Sequence, residues 1–239
     1  MIPLTDNLPP PPRPFVTYGL LGFILGLFAW QVHLSAIGQL ETVLLGWGLI
    51  PSRLAAVTSQ VVGGNNPAAW VAWVLVASSL VTGMFLHSSF AQILGNGIFL
   101  WVFGRRLESY WGSGKFLLFF VGMGILTGLL QVLIDPQLET PLVGTNGSIA
   151  AIIGAYLVAF PRAKIATILP LGFVFIPLEL PALFFGFWWF VQQLAYGIGQ
   201  LSAVSVNQGL LAYWSHGLAM VWGAIIMGAS LRSSPKVVN

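Results

Sequence analysis

The sequence contains no cysteine, and only 6% of its 239 residues are charged. The first absence excludes disulfides, thiolate metal sites and lipidation on cysteine, and it leaves the redox compartment unmarked. The second excludes an ordinary soluble surface, because a globular domain carries about a quarter of its residues as Asp, Glu, Lys and Arg. The net charge of +3 comes from nine Lys and Arg against six Asp and Glu. Those basic residues are scattered over loops rather than gathered on one face, which argues against a nucleic-acid partner. Residues 1–14 hold Asp6 and a proline run instead of a basic segment followed by an apolar one. They read as a short polyproline II tail and not as a signal peptide.

What is present is apolar: 57% of the chain is hydrophobic, in runs long enough to cross about 30 Å of hydrocarbon. The stretches at 15–34, 91–107, 116–134, 147–160, 178–199 and 210–231 predict an all-α polytopic membrane protein of six spans. Residues 15–231 form one membrane domain between the tail 1–14 and a cytoplasmic tail 232–239. A seventh apolar stretch, 68–86, is left out of the count on charge. With six spans and the N-terminus inside, Arg13, Arg105, Arg106, Lys115, Arg162, Lys164, Arg232 and Lys236 are all cytoplasmic and Arg53 is outside. A seventh span would reverse that for Arg105, Arg106 and Lys115. Segment 41–89 therefore reads as a long external loop with interfacial or partly inserted helices, and its backbone is tolerated at membrane depth only under protein cover. The proline-bracketed stretch 165–176 is too short to span.

Polar groups in hydrocarbon are costly and face a partner or water, so they mark where function concentrates. The candidates are His87, Gln92, Asn96, Glu108, Asn146, Gln192, Gln193 and His216. Taken singly, each is also explained by a hydrogen bond between helices. Their order is more specific. Phe85-Leu86-His87 leads into Gln92-Ile93-Leu94-Gly95-Asn96. Then come Phe103-Gly104-Arg105-Arg106-Leu107-Glu108 and Gly112-Ser113-Gly114-Lys115. Gly144-Thr145-Asn146-Gly147 runs on to Gly154-Ala155-Tyr156 and Phe160-Pro161-Arg162, and His216 is followed by Ala219 and Gly223.

From Phe15 to Gly228 this series resembles the rhomboid family of intramembrane serine proteases. The resemblance implies a six-helix bundle with a long, partly inserted first external loop, and a serine–histidine dyad. It implies no cofactor and no metal. The dyad positions are Asn146 and His216, so the family's serine is replaced by asparagine. The oxyanion positions are Gln92 and Asn96, one helical turn apart, where the family has a histidine and an asparagine. His87, Glu108, Gly144, Gly147, Ala219 and Gly223 occupy the family's structural positions. Ala219 and Gly223 leave a small-residue face on which the helix starting at Gly147 can pack.

A carboxamide nitrogen is delocalised into its carbonyl and cannot become an alkoxide, so Asn146 cannot attack a peptide bond. Ser148 is a candidate substitute, but two residues along a helix turn it by about 200° away from Asn146. These residues point to a pseudoprotease that binds transmembrane segments, or to a fixed subunit of a membrane complex. The alternative is an active rhomboid endopeptidase, or an engineered inactive form of one; the second departure at Gln92 speaks against engineering. The expected partners are the bilayer and transmembrane segments of other proteins.

Overall fold

The computed structural model describes residues 1–64, 67–193, 207 and 210–233. Among the described residues, eleven α-helices and one small sheet follow in the order β1 (Ile2–Asp6), α1 (Phe15–Ala36), α2 (Leu40–Trp47), α3 (Pro51–Gly63), α4 (Pro67–Ala77), α5 (Ser79–Phe85) and α6 (Phe90–Phe99). After a π-helical turn over Leu100–Gly104 come α7 (Arg105–Trp111), α8 (Ser113–Ile134), α9 (Asn146–Ala159), β2 (Lys164–Leu171), β3 (Val174–Pro181), α10 (Ala182–Gln193) and α11 (Leu210–Ser233).

Among the described residues, four helical segments are long and apolar enough to cross a bilayer: Phe15–Ala36, Pro67–Phe85, Ser113–Ile134 and Trp214–Ser233. Two shorter apolar helices, Asn146–Ala159 and Ala182–Val191, lie among them. Pro67–Phe85 passes on length and composition, so charge alone keeps it out of a count of spans. The expected span 91–107 is helical throughout but passes through the π turn, where a Cβ on Gly104 would meet Leu100 at 2.9 Å and the Phe116 ring at 3.2 Å.

At the centre stands α9. It is buried without interruption from Asn146 to Tyr156 and again at Ala159, as expected of a helix enclosed by others on every side. Its small residues let neighbouring backbones close in. A Cβ on Gly154 would sit 2.7 Å from the Met220 carbonyl carbon, and one on Gly223 would sit 2.7 Å from that of Ala151. The two helices therefore touch backbone to backbone at one crossing. On another side of α9, a Cβ on Gly147 would meet Thr127 of α8 at 2.5 Å.

The start of α1 is held by a residue far away in sequence. Pro14 precedes the helix and makes no side-chain cap, which leaves the first amides without partners. Glu108 supplies them, accepting from Val16 N at 2.9 Å, Thr17 N at 2.8 Å and Thr17 Oγ1 at 2.8 Å, and from Ser113 Oγ at 2.6 Å. Burial alone would raise this carboxyl, but those hydrogen bonds hold it below the ordinary glutamate range. A carboxylate at a helix N-terminus also meets the positive end of the dipole.

Two expectations need correction. Ile2–Asp6 is not a polyproline tail but an edge strand, antiparallel to β2 with Ile2 opposite Ile168 and Asp6 opposite Ile165. Asp6 fixes it: its carboxylate takes both Arg106 Nε, at 2.6 Å, and Arg106 Nη2, and also accepts Tyr156 Oη at 2.9 Å. The remaining Arg106 donors reach the Leu8 and Pro9 carbonyls. The second correction is that residues 165–181 form most of a β-hairpin, so the helix expected from 178 begins at Ala182 and Leu178–Pro181 belongs to β3. Pro170, Pro177 and Pro181 pair with Phe175, Ile168 and Lys164. These three pairs share one parity in the ladder, so a single set of positions without inter-strand bonds accommodates all the missing N–H groups. The end of the expected span at 199 lies outside the described residues.

Candidate functional site

Asn146, the first residue of α9, is 4% exposed, and Asn96 Nδ2 of α6 donates to its Oδ1 at 2.8 Å. The same Asn96 nitrogen lies 3.3 Å from His87 Nε2, and His87 Nδ1 lies 3.2 Å from the Phe85 carbonyl. A carbonyl only accepts, so His87 carries its proton on Nδ1 and presents Nε2 as an acceptor. The two protons of Asn96 Nδ2 then go to His87 and to Asn146, which fixes the orientation of both carboxamides. The His87 backbone is itself clamped, because Gln31 Nε2 donates to its carbonyl at 2.9 Å and its amide donates to Gln31 Oε1 at 3.0 Å.

One turn earlier on α6, Gln92 is fully buried. Its Oε1 accepts from Ser88 N at 2.8 Å and Ser88 Oγ at 3.0 Å, while Nε2 donates to the Val143 carbonyl at 2.9 Å. The turn into α9 is thereby pinned to α6. Gly144 sits in this turn at φ +106, and a Cβ there would collide with the Gln92 amide; only glycine combines that backbone angle with that approach. Gly144 N donates to the Gly83 carbonyl at 3.1 Å. Asn207 closes the other side. Its Oδ1 accepts from Val143 N at 2.8 Å and its Nδ2 donates to Val143 O at 2.9 Å.

His216 lies in α11, with its ring 5.8 Å from that of Trp189 at an interplanar angle of 69°. Its depth follows from the packing. Trp111 Nε1 donates to Ser230 Oγ at 2.9 Å, while Arg106 of the same helix shares Asp6 with Tyr156 of α9. The C-terminal ends of α9 and α11 thus lie at one end of the bundle, and the two helices run parallel. Asn146 precedes the crossing glycine Gly154 by eight residues, and His216 precedes Gly223 by seven. At 1.5 Å per residue both stand about 10–12 Å from the crossing. Their depths match, at the end of the bundle away from Asp6.

Ser148 is fully buried and donates to the Phe120 carbonyl of α8 at 2.6 Å. Ala219 is fully buried on α11. Gln192 and Gln193 fall in the last turn of α10, and their side chains lie outside the described residues. Sequence reasoning passed over Gln31, although it is an uncharged polar residue inside the first span, the same signal that marked Gln92. It also missed Asn207, Asp6 and Tyr156, whose partners are all far away in the chain. Among the described residues no group of three or more His, Asp or Glu is placed to hold a metal.

A polytopic helical bundle, with a short buried helix carrying a polar residue at its start and a histidine helix crossing it through glycines, defines a class of intramembrane scaffold. Residues 73–233 match the family described as Rhomboid domain. More than half of the chain is covered, and the chain belongs to the rhomboid family. It is 33% identical over 78 residues to YdcA of Bacillus subtilis (strain 168), provisionally named a rhomboid protease, and 33% identical over 78 residues to GluP, a rhomboid protease of the same organism. Each match spans 33% of this chain, but only 39% of YdcA and 15% of GluP.

Proposed function

We propose that this chain is a catalytically inactive rhomboid, a pseudoprotease that engages transmembrane segments of other membrane proteins and leaves them intact. The observation that carries this reading is the bond from Asn96 Nδ2 to Asn146 Oδ1 at 2.8 Å. The family's attacking hydroxyl is replaced by a carboxamide already engaged with the neighbouring oxyanion position. Ser148, the hydroxyl two residues along α9, is committed to Phe120 O on another helix. Asn146 and His216 act here as a degenerate dyad, and Gln92 and Asn96 as a degenerate oxyanion pair. The distribution of basic residues supports cytoplasmic termini.

A second reading, a fixed subunit of a larger membrane complex, draws on the closed chain from Phe85 O through His87 and Asn96 to Asn146, which suits a purely structural core. One experiment separates the readings. The chain is purified in mild detergent after expression in its host, and a model transmembrane substrate is added. The pseudoprotease reading expects substrate that co-purifies uncut and substoichiometrically. A stoichiometric companion present before addition selects the fixed subunit. Cut substrate overturns both and restores an active endopeptidase.

A further inference from the structure

The hairpin between α9 and α10 ends in an apolar tip that no other described residue covers. Strand β1 pairs with β2 only as far as Ile168. Beyond it, Leu171 is 55% exposed, Phe173 102%, Val174 61%, Phe175 63% and Ile176 39%, around a turn at Gly172 with φ +60. The stretch between Lys164 and Glu179 contains no charged residue. From the Ala166–Glu179 pair to the turn the strands reach about 20 Å at 3.3 Å per residue. A chain segment built this way does not belong in water.

We propose that this tip is an interfacial anchor, dipping its side chains into the headgroup and acyl boundary of the bilayer that holds the bundle. Three observations commit it to lipid. The hairpin directly joins two apolar helices of a membrane domain. Beyond Glu179, α10 exposes Leu183 and Phe187, at 70% and 69%, and on a membrane helix such side chains face acyl chains. The hairpin's base is rigidly held, because β1 pairs with β2 and the Asp6 carboxylate ties β1 to Arg106 and Tyr156. Depth is bounded as well. In the sheet order β1-β2-β3, strand β3 is an edge, and open edges need water for their backbone groups. The backbone therefore stays among the headgroups while Phe173, Val174 and Phe175 reach below, about 5–10 Å deep as interfacial apolar faces do. The anchor would fix the tilt of α9, and with it the level at which Asn146 meets a transmembrane partner.

The absence of cysteine gives a direct test. Phe173→Cys, Glu179→Cys and Leu183→Cys, each in the full chain and labelled with an environment-sensitive NBD fluorophore, are placed in phosphatidylcholine–phosphatidylglycerol nanodiscs holding one copy each. Position 173 should emit to the blue of position 179 and be quenched by doxyl lipids, more by a nitroxide near the headgroup than by one near the chain end. Position 183 reports lipid contact and position 179 reports water. Emission at 173 that matches 179 and is quenched by aqueous iodide overturns the proposal. A blue shift at 173 that doxyl lipids leave untouched also overturns it, because the tip would then be packed against protein.

Discussion

Replacing Gly154 by alanine places a methyl carbon 2.7 Å from the Met220 carbonyl carbon, and closer still to its oxygen. Carbon atoms in contact settle at about 3.5 Å, so α9 and α11 must part by about 0.8 Å or more. Neither side can yield by rotating a side chain, because the obstacle is main chain. Overpacking costs about 1–3 kcal/mol in general, and a backbone clash in a fully enclosed helix belongs near about 3 kcal/mol. For a chain of this size that is a fall of about 6–12 °C in the unfolding midpoint. Gly122→Ala is the matched control: a Cβ there meets nothing within 4 Å, and alanine is the better helix former by about 1 kcal/mol. The assay is thermal unfolding of both variants in the same detergent, followed by circular dichroism. Gly223→Ala probes the same crossing from the other helix. The double variant should cost less than the sum of the two, since helices already parted admit the second methyl. If Gly154→Ala melts together with Gly122→Ala, the helices are not in backbone contact and the matching depths of Asn146 and His216 lose their basis.

Glu108 makes stability depend on pH with a definite sign. Its carboxyl is held below the ordinary glutamate range, so its contribution is complete above the unfolded value of about 4.3 and is lost as pH falls through the lower folded value. The wild-type midpoint should fall across that acidic window more steeply than that of Glu108→Gln, which should lose about 1–3 kcal/mol at neutral pH; parallel curves would refute the assignment. Asp6→Asn removes the charge that Arg106 and Tyr156 share, so hydrogen exchange at the β1 amides should become fast while α9 stays protected. Unchanged protection of residues 2–6 would mean that strand pairing alone holds the segment.

Much of this architecture was legible because its signals are local. Ala219 and Gly223 are small residues at helical spacing, and such a face packs the same way wherever it occurs. Glu108 announced itself as a lone acid at the end of an apolar run. The hairpin was opaque because Pro170, Pro177 and Pro181 read as breaks, and their tolerance rests on a ladder parity that exists only after pairing. Segment 2–6 failed for a related reason: Asp6 looks solvated until Arg106, a hundred residues on, is placed beside it. Gln92 was recognised as a position but not in its bonding, since Ser88 and Val143 reach it only through the fold.

On the pseudoprotease reading, this scaffold lacks only its nucleophile and one oxyanion donor. Asn146→Ser restores a hydroxyl at the depth of His216. Gln92→His supplies the family's donor through its single N–H and gives up the bond to the Val143 carbonyl. Loss of an oxyanion donor costs about 10²–10³ in rate, so the double variant should exceed the single one clearly. The deciding measurement is fluorophosphonate labelling with cleavage of a transmembrane substrate, run on wild type, the single and double variants, and the double variant carrying His216→Ala. The expected outcome is a silent wild type, labelling and cleavage in the double variant, and loss of both without His216. Labelling of the wild type that disappears on Ser148→Ala would contradict it, as would complete silence in a double variant that unfolds at the wild-type temperature.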